Sequence, residues 1–414
     1  MTVSAYFDPF AAHYLADPYP PLAGLRADEP VFFAPELDMW VLTRAADIEA
    51  VFTDPQAYSA AIAQDPLFPP TEQARDVLRT WGFDPPHTMS NLDPPEHRRI
   101  RTHNMRAFSA RRIAELEPRV TQAAQEMVEA MLARPAFDLV AELSFPLPAY
   151  MIFTLIGFPP EDTQMLKSWC GNRLAFSWGR PSPARQVEIA ENMGRYWNYC
   201  QEFVARKMAE PAGDFTSQLL AAHHSDPAEL SVREIAGVVY GLSIAGHETT
   251  TNLTTNAVRQ LLTHRAQWET LCADPALIPN AVEEALRFDT SVLTWRRVTT
   301  RPVRIGEADI PAGAKLLLAL AAANRDPARF DDPDVFDVTT KRAARHISFG
   351  HGIHFCLGAP LARMELRIVL ELLTQLAPDL DLLPDQQLSF EPNIAFRGPR
   401  ELWLRRARED QRWA

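Results

Sequence analysis

The sequence is poor in cysteine. Cys170, Cys200, Cys272 and Cys356 lie far apart and form no C-x-x-C pair. They make no disulfide framework, and a reducing cytoplasm is the expected compartment. No run of about 18 apolar residues occurs, so no membrane span is expected. The opening MTVSAYFDPF has no basic segment leading into an apolar run, so no signal peptide is expected either. Positive charge is also short. A formal net charge of −12 argues against bulk attraction to nucleic acid or an anionic membrane. The arginines that do cluster, Arg98, Arg99, Arg101, Arg106, Arg111 and Arg112, read as a solvated helix face. Repeats, low-complexity tracts and interdomain linkers are absent, and residues 1–414 read as one domain.

What is present is an ordinary packing composition. Hydrophobic residues are 47% and charged residues 23%, which excludes disorder as the main state. The runs flanking Pro35-Glu36-Leu37-Asp38 predict a β-hairpin between Pro30 and Arg44. Residues 64–91 form a long, proline-rich connection with one short helix around Thr71–Thr80, and loops of that length are often functional. Apolar spacing of three and four predicts helices over Ala110–Arg134, Leu147–Ile156, Gln164–Phe176, Pro183–Lys207 and Pro360–Gln375. Ala314–Ala322 reads as a strand-to-helix passage, and Leu388–Arg405 as short strands. The fold class is mainly α, with small β-sheets.

The longest helix begins at Ser231, where Ser231 and Glu234 form a capping box. It continues to about Leu262, so it spans a domain and must cross the interior. Its middle, Ala245-Gly246-His247-Glu248-Thr249-Thr250-Thr251-Asn252, is polar and β-branched where helix propensity favours Leu or Ala. Threonines that bond back to carbonyls bend helices, so a bend or widened turn is expected there.

Residues 349–358 read FGHGIHFCLG. Three glycines in so short a run allow tight turns and the close approach of another group. Cys356 stands just before the helix from Pro360, where a helix N-terminus favours thiolate. This F-x-x-G-x-x-x-C-x-G loop resembles the heme-binding loop of the cytochrome P450 family. Three further signatures follow the family's order. Ala245-Gly246-x-Glu248-Thr249-Thr250 resembles the oxygen-activation motif. Glu284-Ala285-Leu286-Arg287 resembles the E-x-x-R motif. His97-x-x-x-Arg101, after Leu92-Asp93-Pro94-Pro95, resembles the bacterial pair that holds heme propionates. Segments such as SWGRP, IPNAVEEALR and IPAGAKLL are similar to heme domains of self-sufficient bacterial members, which are fused to a phthalate-dioxygenase-type reductase.

The resemblance implies the cytochrome P450 fold, a helical bundle around heme b, and monooxygenase activity with O2 on a small to medium hydrophobic substrate. Hydroxylation or oxidative O-dealkylation, including of aromatics, is the implied outcome. A peroxide-driven peroxygenase and a non-catalytic heme sensor or carrier are the alternatives. Cys356 is implied as the iron ligand. His97, Arg101, Arg297 and His354 are implied as propionate partners, with Phe349, Gly350 and Ala245 against the heme. Thr249 and Glu248 are implied in proton delivery. Val292, Leu293, Thr294, Trp295, Ile394 and Phe396 are implied to line the substrate site. Electrons are expected from a ferredoxin or a flavin and 2Fe–2S reductase, fused or separate, docking near Arg98, Arg99, Arg106, Arg342, Arg345 and Arg363. No nucleic-acid or membrane partner is expected. One departure concerns the third member of the E-x-x-R network: Thr339 and Thr340 stand where an arginine is usual, followed by Lys341 and Arg342.

Overall fold

The computed structural model describes residues 7–406. Residues 1–6, the start of the segment read as lacking a leader, lie outside them. In chain order the helices are α1 (Ala12–Ala16), α2 (Tyr19–Asp28), α3 (Ala45–Thr53), α4 (Glu72–Thr80), α5 (Glu96–Ala107), α6 (Ala110–Leu132), α7 (Pro146–Ile156), α8 (Thr163–Cys170), α9 (Asn172–Trp178), α10 (Pro183–Ala209), α11 (Phe215–Ser225), α12 (Val232–Thr263), α13 (Arg265–Ala273), α14 (Ile278–Phe288), α15 (Leu320–Ala323) and α16 (Ala359–Leu376). The strands are β1 (Val31–Ala34), β2 (Met39–Leu42), β3 (Tyr58–Ser59), β4 (Ala136–Asp138), β5 (Trp295–Thr299), β6 (Val303–Ile305), β7 (Ala308–Ile310), β8 (Lys315–Leu318), β9 (Leu380–Leu382) and β10 (Trp403–Arg406). Among the described residues no helix is long and apolar enough to cross a membrane.

Helix α12 organises the molecule. Ser231 and Glu234 close the capping box at its start, and 32 residues follow. At 1.5 Å per residue it runs about 48 Å. Its buried residues, among them Val238, Tyr240, His247, Leu253 and Leu261, occupy every side of the helix. Helices α7, α10, α11, α14 and α16 pack around it. A helix gripped on all sides needs no amphipathic face. Of the expected bend or widened turn, the widened turn is not found: helical structure runs unbroken from Val232 to Thr263. Thr249, Thr250 and Thr251 do bond back to the carbonyls of Ala245, Gly246 and His247 without interrupting the helix.

The hairpin is β1–β2, with Val31 opposite Leu42. It opens a five-stranded sheet, ordered β1-β2-β8-β5-β3. Strand β8 runs parallel to β2 and antiparallel to β5, and Leu316, Leu317 and Leu318 are fully buried. The passage from Ala314 is strand β8 leading into α15, as its pattern indicates.

Two other expectations need correcting. The helix read over Gln164–Phe176 is two helices that meet at Gly171. The C-terminal segment from Leu388 contributes one strand, β10. Residues 390–399 are otherwise irregular and join the rest through isolated bridges, including Val292 with Phe396, and through individual hydrogen bonds.

Candidate active site

The cysteine loop is built by two left-handed glycines. Gly350 and Gly352 have φ of +72° and +69°, and a side chain at Gly352 would run into the Phe52 carbonyl of α3. The turn closes when Cys356 N–H donates to the Phe349 carbonyl at 2.8 Å. Phe349 lies under the Arg363 guanidinium, 4.6 Å from the ring centre, with the His346 and Phe355 rings also against it.

Cys170 and Cys200 are fully buried, and Cys272 is half-buried. Cys356 is the open one. The surrounding protein pushes its thiol pKa up, opposed by the N–H of Gly358, by Arg101, by the N–H of Ala359 and by Arg363. An open thiol deep among protein atoms faces an internal cleft rather than the rim of the molecule. The two N–H groups come from the start of α16, as the position before a helix suggests.

Beside this loop a cationic cluster converges from three elements. His97 and Arg101 stand on α5, Arg297 on β5, and His354 in the loop itself. The His97 and His354 rings are 4.2 Å apart. His354 Nδ1 bonds to the Met89 carbonyl at 3.0 Å, and Arg101 donates to the Phe355 carbonyl at 2.6 Å. Burial, Arg101 and Arg297 lower the His97 pKa to about 4 against the pull of Asp93. Burial, Arg297 and His97 lower His354 to about 3. Burial also lowers Arg297 to about 10. The Nε2 atoms of both histidines are buried without a hydrogen-bond partner. Two histidines with unpartnered buried nitrogens, beside two arginines, fit a buried group carrying more than one carboxylate.

Adjacent Arg296 is equally buried but committed elsewhere. It donates to the carbonyls of Ala63, Asp65 and Ser177 and lies 3.8 Å over the Trp178 ring. Of the two neighbouring arginines, Arg297 therefore joins the cluster.

Across the site, α12 presents a local exception to its burial. Ala245 is exposed and Thr249 half-buried one turn on, whereas Ile244, His247, Thr250 and Thr251 are buried. Thr249 Oγ1 donates to Ala245 O at 2.7 Å. Open small residues in the middle of an interior helix mark the face that borders the internal cleft. Glu248 is turned toward Gly171. Burial, then nearby Glu391, raises its carboxyl pKa to about 8.

The residues expected to line the substrate site differ in burial. Val292 and Trp295 are half-buried. Trp178, Trp295 and Phe396 form an aromatic group with ring centres 5.3, 6.0 and 6.3 Å apart. Leu293 is a correction: it packs with Tyr14, Tyr19 and Leu22 in a separate core cluster. Ile394 is fully buried, and its carbonyl accepts from the Thr294 hydroxyl at 3.0 Å. These two brace the wall.

The E-x-x-R pair is fully buried, with Arg287 Nε and Nη2 at 2.7 and 2.8 Å from the Glu284 oxygens. Arg342 is the third member, 3.5 Å from Glu284 Oε1 and also bonded to the Val335 carbonyl at 2.6 Å. Asn324, which carries no motif, links this network to the cysteine loop. Arg287 donates to its carbonyl, and its side chain holds Ile347 N–H and the Ser348 hydroxyl.

A family model described as Cytochrome P450 matches residues 267–377. Cytochrome P450 107B1 of Saccharopolyspora erythraea is 38% identical over 380 residues, 89% of each chain. The chain belongs to the cytochrome P450 family. It is a monooxygenase, an oxidoreductase, and the family's cofactor is heme b. An intact type IV self-sufficient cytochrome P450 monooxygenase matches 98% of this chain at 37% identity and a TM-score of 0.95, and the chain spans 53% of that protein. Cytochrome P450 CREJ in complex with (4-ethylphenyl) dihydrogen phosphate matches with a TM-score of 0.94 at 37% identity, covering 97% of this chain and 99% of that one.

Proposed function

We propose that this cytochrome P450, a single heme-binding domain over residues 1–414, oxidises small to medium hydrophobic substrates and prefers alkyl- or methoxy-substituted aromatics. The products would be hydroxylated or O-dealkylated. The observation that carries the preference is the aromatic group of Trp178, Trp295 and Phe396, of which Trp295 is only half-buried. Edge-to-face rings favour another ring by about 0.5–1.5 kcal/mol per pair. Arg296, the guanidinium against this wall, is bonded to three carbonyls and stacked on Trp178, so it offers no free seat for a carboxylate. The alkyl-aromatic ligand of CREJ supports the same substrate class.

In this reading Cys356 holds the iron of heme b, and His97, Arg101, Arg297 and His354 hold its propionates. When bound, that group supplies O2 binding and its reductive cleavage. Ala245 leaves room on α12 for a small molecule. Thr249 gives its own hydroxyl proton to Ala245 O, so its Oγ1 accepts a hydrogen bond from a group in the cleft and positions it. Glu248, which keeps its proton near neutral pH, is the proton source. Electrons would come from a ferredoxin or a flavin and 2Fe–2S reductase. Its docking face would centre on Ile353 and Phe355, flanked by Arg98 and Arg106 of α5. Four cysteines with no disulfide among them support the cytoplasm as the compartment.

A Soret-band titration tests the substrate class. Alkylbenzenes and methoxyarenes should bind about tenfold more tightly than fatty acids of equal carbon number, and Trp295→Ala should erase most of the difference. Tighter binding of the fatty acids would overturn the assignment. For proton delivery, Thr249→Ala should divert reducing equivalents into peroxide. Unchanged product per NAD(P)H would remove Thr249 from that role.

A further inference from the structure

The α8–α9 break has no role in the reading above, yet it touches Glu248 directly. A Cβ placed on Gly171 would lie 1.9 Å from Glu248 Oε1 and 3.2 Å from Cδ. No L side chain fits there while the carboxyl stays where it is. We propose that Gly171 is the positioning residue for Glu248: the side chain it lacks is the space that the Glu248 carboxyl occupies.

The seat is fixed from both ends. On the α8 side, the buried Cys170 thiol donates to the Tyr196 hydroxyl of α10 at 3.3 Å, Tyr196 donates to Ser243, and Ser243 donates to the Tyr240 carbonyl at 2.9 Å. That chain ends on a carbonyl, so it anchors α8 against α12 and does not carry protons onward. On the α9 side, Asn393 Nδ2 donates to the Leu174 carbonyl at 3.1 Å, and Leu67 N–H donates to the Ser177 carbonyl at 2.9 Å. Gly171 itself has ordinary helical angles, φ −68° and ψ −17°, so space alone requires glycine here.

The charged and titratable groups that face the carboxyl are few. Cys170 approaches it from α8, and Glu391 from the C-terminal segment. Lys167 and His247 are turned to Phe145 instead, one over its ring and the other to its carbonyl. Among the described residues no lysine or arginine pairs with Glu248. Its proton is therefore kept by burial against the Gly171 backbone, and moving the carboxyl outward would release it.

This inference rests on Glu248 as the proton source, and the test separates the two. Gly171→Ala should fold, because the atom it meets is the end of a flexible side chain. It should lower product formed per NAD(P)H about tenfold at pH 7, since displacements near 1 Å cost rates of that order or more. In the E248D background, where the carboxyl is one methylene shorter, the same substitution should cost less than about twofold, a non-additivity expected only of groups in contact. Independently of turnover, the infrared carbonyl band of the protonated carboxyl in the heme-loaded protein should vanish in E248Q. It should shift or vanish in Gly171→Ala. An unmoved band in Gly171→Ala, or an equal cost in both backgrounds, would overturn the positioning role. Unchanged coupling in E248Q would overturn Glu248 as the proton source, whatever the band does.

Discussion

His97 and His354 face each other with ring centres 4.2 Å apart, and the Nε2 atom of each is buried without a partner. One comes from α5 and the other from the cysteine loop, so an anion bridging them ties the two elements together. Arg297 donates one bond to the Arg296 carbonyl at 2.8 Å and otherwise faces the same cluster. A hydrogen bond to a charged group is worth about 1.5–3 kcal/mol. Arg297→Leu or His354→Phe should therefore weaken heme retention about tenfold to a hundredfold, read as the rate of heme transfer to an apo-globin acceptor. Arg296→Leu should instead loosen the Trp178 wall and leave that rate near wild type. Equal loss from both arginine substitutions would contradict the division of labour between them.

The Glu284–Arg287 pair has no access to water, so removing one partner strands the other. Glu284→Gln should destabilise the protein by about 3–5 kcal/mol, measured by urea unfolding of the heme-loaded form. Arg342 sits farther out and gives most of its bonds to carbonyls. Arg342→Lys should cost about 1 kcal/mol, because the lysine keeps the charge and loses the fork geometry. A loss from Arg342→Lys as large as that from Glu284→Gln would mean Arg342 is an equal member of the network.

The features legible in the sequence are those set by local chemistry. The Ser231–Glu234 box marks the start of α12, and the glycine spacing marks the Cys356 turn, because both depend on a few consecutive residues. The break at Gly171 was hidden, since apolar periodicity runs straight through it and the glycine answers to Glu248, far away in the chain. Whether Lys341 or Arg342 reaches Glu284 depends on an irregular segment whose register no periodicity fixes. Leu293 stands next to wall residue Val292, but its neighbours are Tyr14 and Tyr19 from the other end of the chain. The continuity of α12 through its threonines likewise owes much to the five helices packed on it, and propensity alone does not report it.

Acid stability should depend on Glu283. Burial pushes its pKa up, but two bonds from Arg363, at 2.6 and 2.8 Å, and a contact with His346 outweigh this and bring it to about 2. His346 is itself held below its usual value by burial, so it contributes mainly as a neutral donor. A carboxylate with a depressed folded-state pKa stabilises the protein above its unfolded value, about 4.5, and loses that contribution as pH falls toward 2. Glu283→Gln should cost about 1–2 kcal/mol at pH 6–7, a figure reduced because Arg363 is partly exposed to solvent. The cost should fall by about half by pH 3 and approach zero only at or below pH 2. A penalty independent of pH would point to packing instead of charge.

The arginines near the cysteine side of the heme do not form one uniform patch. Arg99 pairs with Glu234, Arg363 with Glu283, and Arg342 and Arg345 are bonded to backbone carbonyls. Arg98 and Arg106 remain exposed and without an ion pair among the described residues. Between them on α5, Met105 is 55% exposed, and Arg101 of the same helix bonds to the loop carrying Ile353 and Phe355, 36% and 40% exposed. An apolar centre with cations at its edge suits an acidic electron donor, with the charges acting mainly on encounter. Arg98→Glu and Arg106→Glu should each raise the KM for a ferredoxin about three- to tenfold at low ionic strength, and the effect should fade near 0.5 M salt. Phe355→Ala should weaken docking at every salt concentration, because apolar contact is not screened. If Arg98→Glu leaves the KM and its salt dependence unchanged, electrons enter elsewhere.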